Sequence, residues 1–154
     1  MKKDWKLYLL VILLPVLLGG IVGLLVNMTS SYQTFTKPPL APPGYVFPIV
    51  WTILYLLMGI SYYMIITSHH HKTRQAINIY WIQLGLNLLW PILFFTLDLR
   101  IIAFVELLML IYAVTNMIIS FYQINKKAGL LQVPYLLWCL FASYLNLAIA
   151  LLNH

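Results

Sequence analysis

The chain has 154 residues, 63% of them hydrophobic and only 8% charged, with a mean hydropathy of +0.92. Soluble globular domains carry about a quarter charged residues, so this composition excludes that class and points to an integral membrane protein. Nine Lys or Arg against three Asp or Glu give a net charge of +6. The cations lie in tails and short loops, where they set orientation in a bilayer, and they do not mark nucleic-acid binding.

Five stretches, at about 7–27, 45–67, 77–97, 101–122 and 129–152, come near the roughly 20 apolar residues needed to cross a hydrocarbon core about 30 Å thick. They are continuously apolar, and lipid offers no water to an unpaired backbone, so each is predicted to be a helix. The predicted fold class is all-α, a single bundle of five transmembrane helices over 1–154, with no room for a separate nucleotide-binding or catalytic module.

The first span follows Lys2, Lys3 and Lys6, but it is too long for a signal h-region and lacks a small-residue cleavage site, so it reads as retained. With Lys72, Arg74, Lys126 and Lys127 these make seven cations on one side, against Lys37 and Arg100 on the other. That bias predicts the N-terminus in the cytoplasm and the C-terminus outside, for a bacterial cytoplasmic membrane. Gly19 and Gly23 have the GxxxG spacing that permits close approach of another helix, within the chain or across a homodimer.

The connection 28–44, MTSSYQTFTKPPLAPPG, holds Pro38, Pro39, Pro42 and Pro43, which stiffen it into extended conformations. It is either a lid over the bundle mouth or a plain linker between the first two spans. In the second span Trp51, Tyr55, Met58 and Tyr62 recur at helical spacing. In the third, Gln83, Asn87 and Trp90 share a face, and in the fifth Tyr135, Trp138, Ala142 and Leu145 do so, with Asn146 beside them. Gln83 and Asn87 face lipid only at high cost and so point inward.

If these faces converge, they form a cavity walled by indoles, with a few amides to orient a large, flat, mostly apolar guest. The competing reading makes the aromatics interfacial belts and lets Asn87 and Asn146 bond helix to helix. For Trp5, Tyr8, Trp81 and Tyr122, near span ends, the belt is the stronger reading.

Other chemistries find little support. Cys139 is the only cysteine, and the consecutive His69, His70 and His71 cannot all aim at one ion, so no metal site is expected. No histidine lies inside a span, so a haem would lack its usual imidazole ligand. There is no phosphate-binding glycine loop, and Ser143 has no base near it in sequence. Glu106 is the one carboxylate well inside a span. It is a candidate proton or cation site of a small exporter, although a structural role, snorkelling or pairing with Arg100, is the stronger reading.

Three blocks, KPPLAPPGYVFPIVWTILYLLMGISYY (37–63), QLGLNLLWPILFF (83–95) and VPYLLWCLFASYLNLAIALLN (133–153), resemble in content and order the TspO/MBR family of tryptophan-rich sensory and translocator proteins. The resemblance implies a five-helix bundle, often homodimeric, whose cavity lies under the first loop. It implies binding of porphyrins such as protoporphyrin IX, of benzodiazepine-type ligands and, in animal members, of cholesterol. Carried over to matching positions, it assigns ligand contacts to Trp51, Asn87, Trp138, Ala142, Tyr32, Pro42 and Pro43. Phe47, Tyr55, Gln83, Trp90, Leu145 and Asn146 complete the expected set.

Cholesterol recognition in the family is placed where a Tyr is followed by Lys or Arg at the end of the fifth span. Here Tyr144 is followed by LNLAIALLNH, with no cation, and the short chain looks bacterial. The expected function is binding of a porphyrin drawn from the membrane lipid, with no required cofactor. Light- and oxygen-dependent degradation through Trp51 and Trp138 is the catalytic hypothesis. A porphyrin or lipid transporter or sensor without chemistry is the alternative, and proton-coupled export through Glu106 is the third.

Overall fold

The computed structural model describes residues 4–153; Lys2 and Lys3, counted in the orientation argument, lie outside them. Among the described residues there are helices and no strands: α1 (Trp5–Leu25), α2 (Met28–Gln33), α3 (Val46–Ile66), α4 (Thr73–Pro91), α5 (Arg100–Ile124), α6 (Lys126–Leu130) and α7 (Val133–Leu152). Five segments are long and apolar enough to span a membrane, namely α1, α3, α4 with the turn after it, α5, and α6 with α7. The protein is thus an integral membrane, all-α bundle.

Local chemistry sets several boundaries. The Asp4 carboxylate caps α1, accepting from the Lys6 and Leu7 amides at 3.2 Å, so the first helix begins two residues earlier than the apolar run suggests. Pro91 lacks an N–H, and after it the chain widens into a π turn over Ile92–Thr96, closed by the Leu97 amide on the Ile92 carbonyl at 3.0 Å. That turn places Phe94 and Phe95 at the aromatic end of the bundle. Asn125 caps α6, so the fifth span begins at Lys126, three residues before the predicted start, and a turn at 131–132 separates α6 from the long helix α7.

α1 packs on α3, while α5 is central and packs on both α4 and α7. The buried core joins Leu54 and Met58 of α3, Tyr80 and Leu84 of α4, Leu110 and Met117 of α5, and Tyr135 and Cys139 of α7. Leu17 and Ile21 of α1 and Val105, Met109 and Tyr112 of α5 point outward, as lipid-facing residues do. The tightest helix crossing is at Gly59, whose missing Cβ leaves room for the Ile12 backbone. Gly19 instead faces the Tyr55 ring, so that half of the GxxxG pair is used within the chain.

The connection 28–44 is not extended throughout. It opens with the single helical stretch α2, entered through Asn27 in the left-handed region (φ 53°), and then folds back across the end of the bundle. Tyr32 is buried there beside Phe94 and Ile149.

Candidate functional site

Two adjoining cavities lie where α1, α2, α3, α4 and α7 meet. The inner one is a narrow aromatic chamber of about 30 Å³, walled by Tyr32, Phe47, Trp51, Trp90, Phe94 and Trp138, with Ala142, Leu145 and Asn146 along α7. The outer one, about 320 Å³, lies against the glycine face of α1 and reaches Tyr55, Asn87 and Trp90. Trp51, Trp90 and Met28 line both.

The aromatic rings form a connected path. Tyr32 meets Phe47 edge to face at 4.6 Å between centroids, Phe47 meets Trp138 at 5.9 Å, and Trp138 meets Trp51 at 6.4 Å. The two indoles stand at 88° to each other, so they make a corner and not a parallel sandwich. Trp51 in turn stacks on Tyr55 at 5.6 Å. Trp138 lines the chamber, and its Nε1 is buried without a hydrogen-bond partner.

Amide side chains hold the walls together. Asn87 accepts from the Tyr55 hydroxyl at 2.6 Å and donates to the Tyr135 hydroxyl at 2.8 Å, which itself donates to Gln83 Oε1 at 2.8 Å. This network joins α3, α4 and α7. Asn146 accepts from Trp90 Nε1 and donates to the Arg100 carbonyl, both at 2.8 Å, joining α7 to α4 and α5. The helix-to-helix reading of these two asparagines therefore describes them, and they line the cavities as well.

Of the residues singled out in the sequence, Tyr32, Phe47, Trp51, Tyr55, Asn87, Trp90, Trp138, Ala142, Leu145 and Asn146 come together around the cavities. Gln83 is fully buried behind the network and lines neither. Pro43 lies in the turn that starts α3, where its carbonyl accepts from the Val46 amide at 3.1 Å. Pro42 acts through its carbonyl, which accepts from the Tyr32 hydroxyl at 2.7 Å. Burial raises the Tyr32 hydroxyl above its ordinary pKa, so it remains a donor. Phe94, Phe95, Met28 and Ile149 also line the inner chamber and were missed; the π turn that turns the two phenylalanines inward leaves no periodic signal.

The helical face begun by Trp51 runs on to Tyr62, which lies away from the cavities, stacked on Tyr80 at 4.2 Å and accepting from Trp81 Nε1. Trp5, Trp81 and Tyr122 are exposed. His70 stacks on His71, and among the described residues no group of three His, Cys, Asp or Glu gathers to hold a metal ion.

Glu106 lines neither cavity. Arg100 is engaged by Asp98 and by the Asn153 carbonyl, and both carboxyl oxygens of Glu106 are buried without a hydrogen-bond partner. The snorkelling or Arg-paired arrangement is therefore not the one adopted. An orphaned buried polar group costs about 1–3 kcal/mol, so Glu106→Leu is expected to stabilise the protein by that order, read as a higher unfolding midpoint in detergent. A lower midpoint would show that the carboxyl has a necessary partner.

The arrangement coincides with a known pattern of sequence. Residues 11–152 match the TspO/MBR family. The chain belongs to this family. Its relatives include the tryptophan-rich protein TspO of Archaeoglobus fulgidus, 40% identical over 127 residues (82% of each chain). The tryptophan-rich sensory protein of Cereibacter sphaeroides is 32% identical over 153 residues, 99% of this chain and 95% of that one. The translocator protein of Bos taurus is 33% identical over 135 residues, 84% and 80% of the two chains. Apart from Met28 and Tyr32 of the first connection, the aromatic chamber of this TspO/MBR protein is lined by residues of the same three sequence blocks that carry the resemblance, 37–63, 83–95 and 133–153.

Proposed function

We propose that this TspO/MBR protein binds a flat tetrapyrrole such as protoporphyrin IX from the bilayer, and that the bound porphyrin is degraded under light and oxygen through Trp51 and Trp138. The observation that carries the reading is the indole corner. A guest stacked on one ring presents its edge to the other, an arrangement aromatic quadrupoles favour, and the free Trp138 Nε1–H donates to an acceptor on that guest. Asn87 and Asn146 hold the walls and leave the apolar faces to do the binding. No further cofactor is needed, because the excited porphyrin passes energy or an electron to dioxygen and the adjacent indoles, the most readily oxidised aromatic side chains, relay the oxidation.

The same proposal places the N-terminus in the cytoplasm, which the seven-to-two distribution of cations supports, and includes a homodimer in the bacterial cytoplasmic membrane.

The test is the absorbance of purified protein with protoporphyrin IX, in the dark and in light, with and without oxygen. In the Trp51→Phe, Trp138→Phe double variant the light-dependent decay is expected to slow by roughly tenfold or more, since both relays are gone. Trp81→Phe, at an exposed span end, is the control and keeps the wild-type rate. Decay at the wild-type rate in the double variant would refute the chemistry. A bound spectrum that shifts but persists in light would make the protein a receptor or carrier.

A further inference from the structure

Two routes lead toward the aromatic chamber, and they differ in how they are closed. At the loop end of the bundle, 28–44 is tied down repeatedly. The Tyr144 hydroxyl donates to the Pro39 carbonyl at 2.6 Å. The Asn153 side chain clasps the Thr36 backbone, accepting from its N–H and donating to its carbonyl, both at 2.9 Å. The Phe35 ring lies 4.8 Å from the Arg100 guanidinium, which also donates to the Asn153 carbonyl. These ties bind the loop to the ends of α5 and α7, and entry beneath it requires breaking several at once.

α1 and α3 pack closely at the Gly59–Ile12 crossing and at the Gly19–Tyr55 contact, but past Gly19 no comparable ties close the wall. The outer cavity of about 320 Å³ lies there, and Gly20, Pro48 and Thr52 on its rim are exposed. A Cβ added at Gly20 or at Gly23 would meet nothing within 4 Å. Two of the hydroxyls on this path are already used, Thr52 on the Pro48 carbonyl at 2.6 Å and Tyr55 on Asn87, which leaves its walls mostly apolar to a traveller from lipid. Its inner end is the Trp51 and Trp90 pair that also lines the chamber. The inner chamber, about 30 Å³, is far below the several hundred Å³ that a drug-sized ligand occupies, so these side chains must yield as a guest arrives.

We infer that the guest enters sideways from the bilayer through the window between α1 and α3, passing over Gly20 and Gly23 and displacing Trp51 and Trp90 to reach the chamber. The inference rests on the proposed tetrapyrrole binding. A flat apolar molecule dissolved in lipid reaches this window without crossing water, and burial of its surface is kept throughout the passage. The glycines act by leaving space, and Trp51 and Trp90 act as the gate.

The experiment is stopped-flow quenching of protein fluorescence by protoporphyrin IX, with the full chain in lipid nanodiscs, comparing wild type, Gly20→Leu/Gly23→Leu, Asn153→Ala and Tyr144→Phe. Narrowing a route slows passage in both directions. Association and dissociation rates of the double glycine variant are therefore expected to fall together, by roughly tenfold, with Kd unchanged, while the two loop variants keep wild-type rates. Unchanged rates in the glycine variant, or faster association in the loop variants, would overturn the window and place entry beneath the loop. A rise in dissociation alone would make the outer cavity part of the binding site and overturn it as a route. If wild type itself does not bind protoporphyrin IX, the binding proposal fails, and the window falls with it; that outcome is distinct from a bound porphyrin whose rates ignore Gly20 and Gly23.

Discussion

Gly59→Leu is expected to force α1 away from α3 and to lower stability by about 3 kcal/mol, the upper part of the range for overpacking a tight site. At this crossing a Cβ would strike the Ile12 Cα and lie 2.8 Å from the Ile12 carbonyl oxygen and 2.9 Å from that of Val11. These obstacles are backbone atoms of a helix, so no rotamer change relieves them, and the two helices must separate. Separation also exposes Ile12 and Val11, both buried in this seam, and loosens the α1 wall of the outer cavity. The measurement is the thermal unfolding midpoint in detergent by circular dichroism, with Gly85→Leu as the control. Gly85 has nothing within 4 Å of an added Cβ, and its variant should stay within about 0.5 kcal/mol of wild type. A Gly59→Leu midpoint equal to that of wild type would mean that α1 and α3 do not cross there.

Asn87→Leu carries the second large effect. Asn87 accepts a hydrogen bond from the Tyr55 hydroxyl on one side and donates one to the Tyr135 hydroxyl on the other, and Tyr135 donates in turn to Gln83. Leucine fills comparable space but leaves the buried Tyr55 hydroxyl with no acceptor, a loss of about 1–3 kcal/mol, beyond the bond to Tyr135. Because the loss arises from one stranded donor, it should shrink when that donor is also removed. In a Tyr55→Phe background, Asn87→Leu is expected to cost less by about 1–2 kcal/mol, a coupling within the range for hydrogen-bonded neighbours. Unfolding midpoints of the four proteins of this double-mutant cycle measure it, and strict additivity would show that the Tyr55–Asn87 bond does not form. The same variants loosen the seat of Trp51, which stacks on Tyr55, so weaker porphyrin binding is expected alongside.

Much of this arrangement was legible before folding. A bilayer fixes the length of an apolar run and forces its backbone to bond within the segment, so the five spans could be read from local composition, with ends shifted by the Asp4 and Asn125 caps and by Pro91. Aromatic and amide residues at helical spacing are exceptions among Leu and Ile. Spacing therefore grouped Trp51, Asn87, Trp90 and Trp138 on shared helix faces, and polarity turned Asn87 inward, but it was the resemblance that pointed the two indoles toward a pocket.

Which inward residues line a cavity and which merely support it was not legible. Both faces of a membrane helix are apolar, so hydropathy does not report how each helix is rotated, and rotation decides contacts. Gln83 and Asn87 are one turn apart on α4, yet Asn87 reaches the outer cavity and Gln83 is shut behind Tyr135. Phe94 and Phe95 enter the chamber only because the chain widens after Pro91. Gly19 and Gly23 form the recognisable motif, but the close backbone approaches are made at Gly59 and Gly129, which no spacing marks. The sequence by itself determined the number of spans, their helical state, the family and the aromatic faces, because these follow from residues close together in the chain. The tertiary structure alone decided the perpendicular set of the two indoles, the orphaned Glu106 and the open window between α1 and α3. Each of these depends on the angle and rotation at which helices distant in sequence meet.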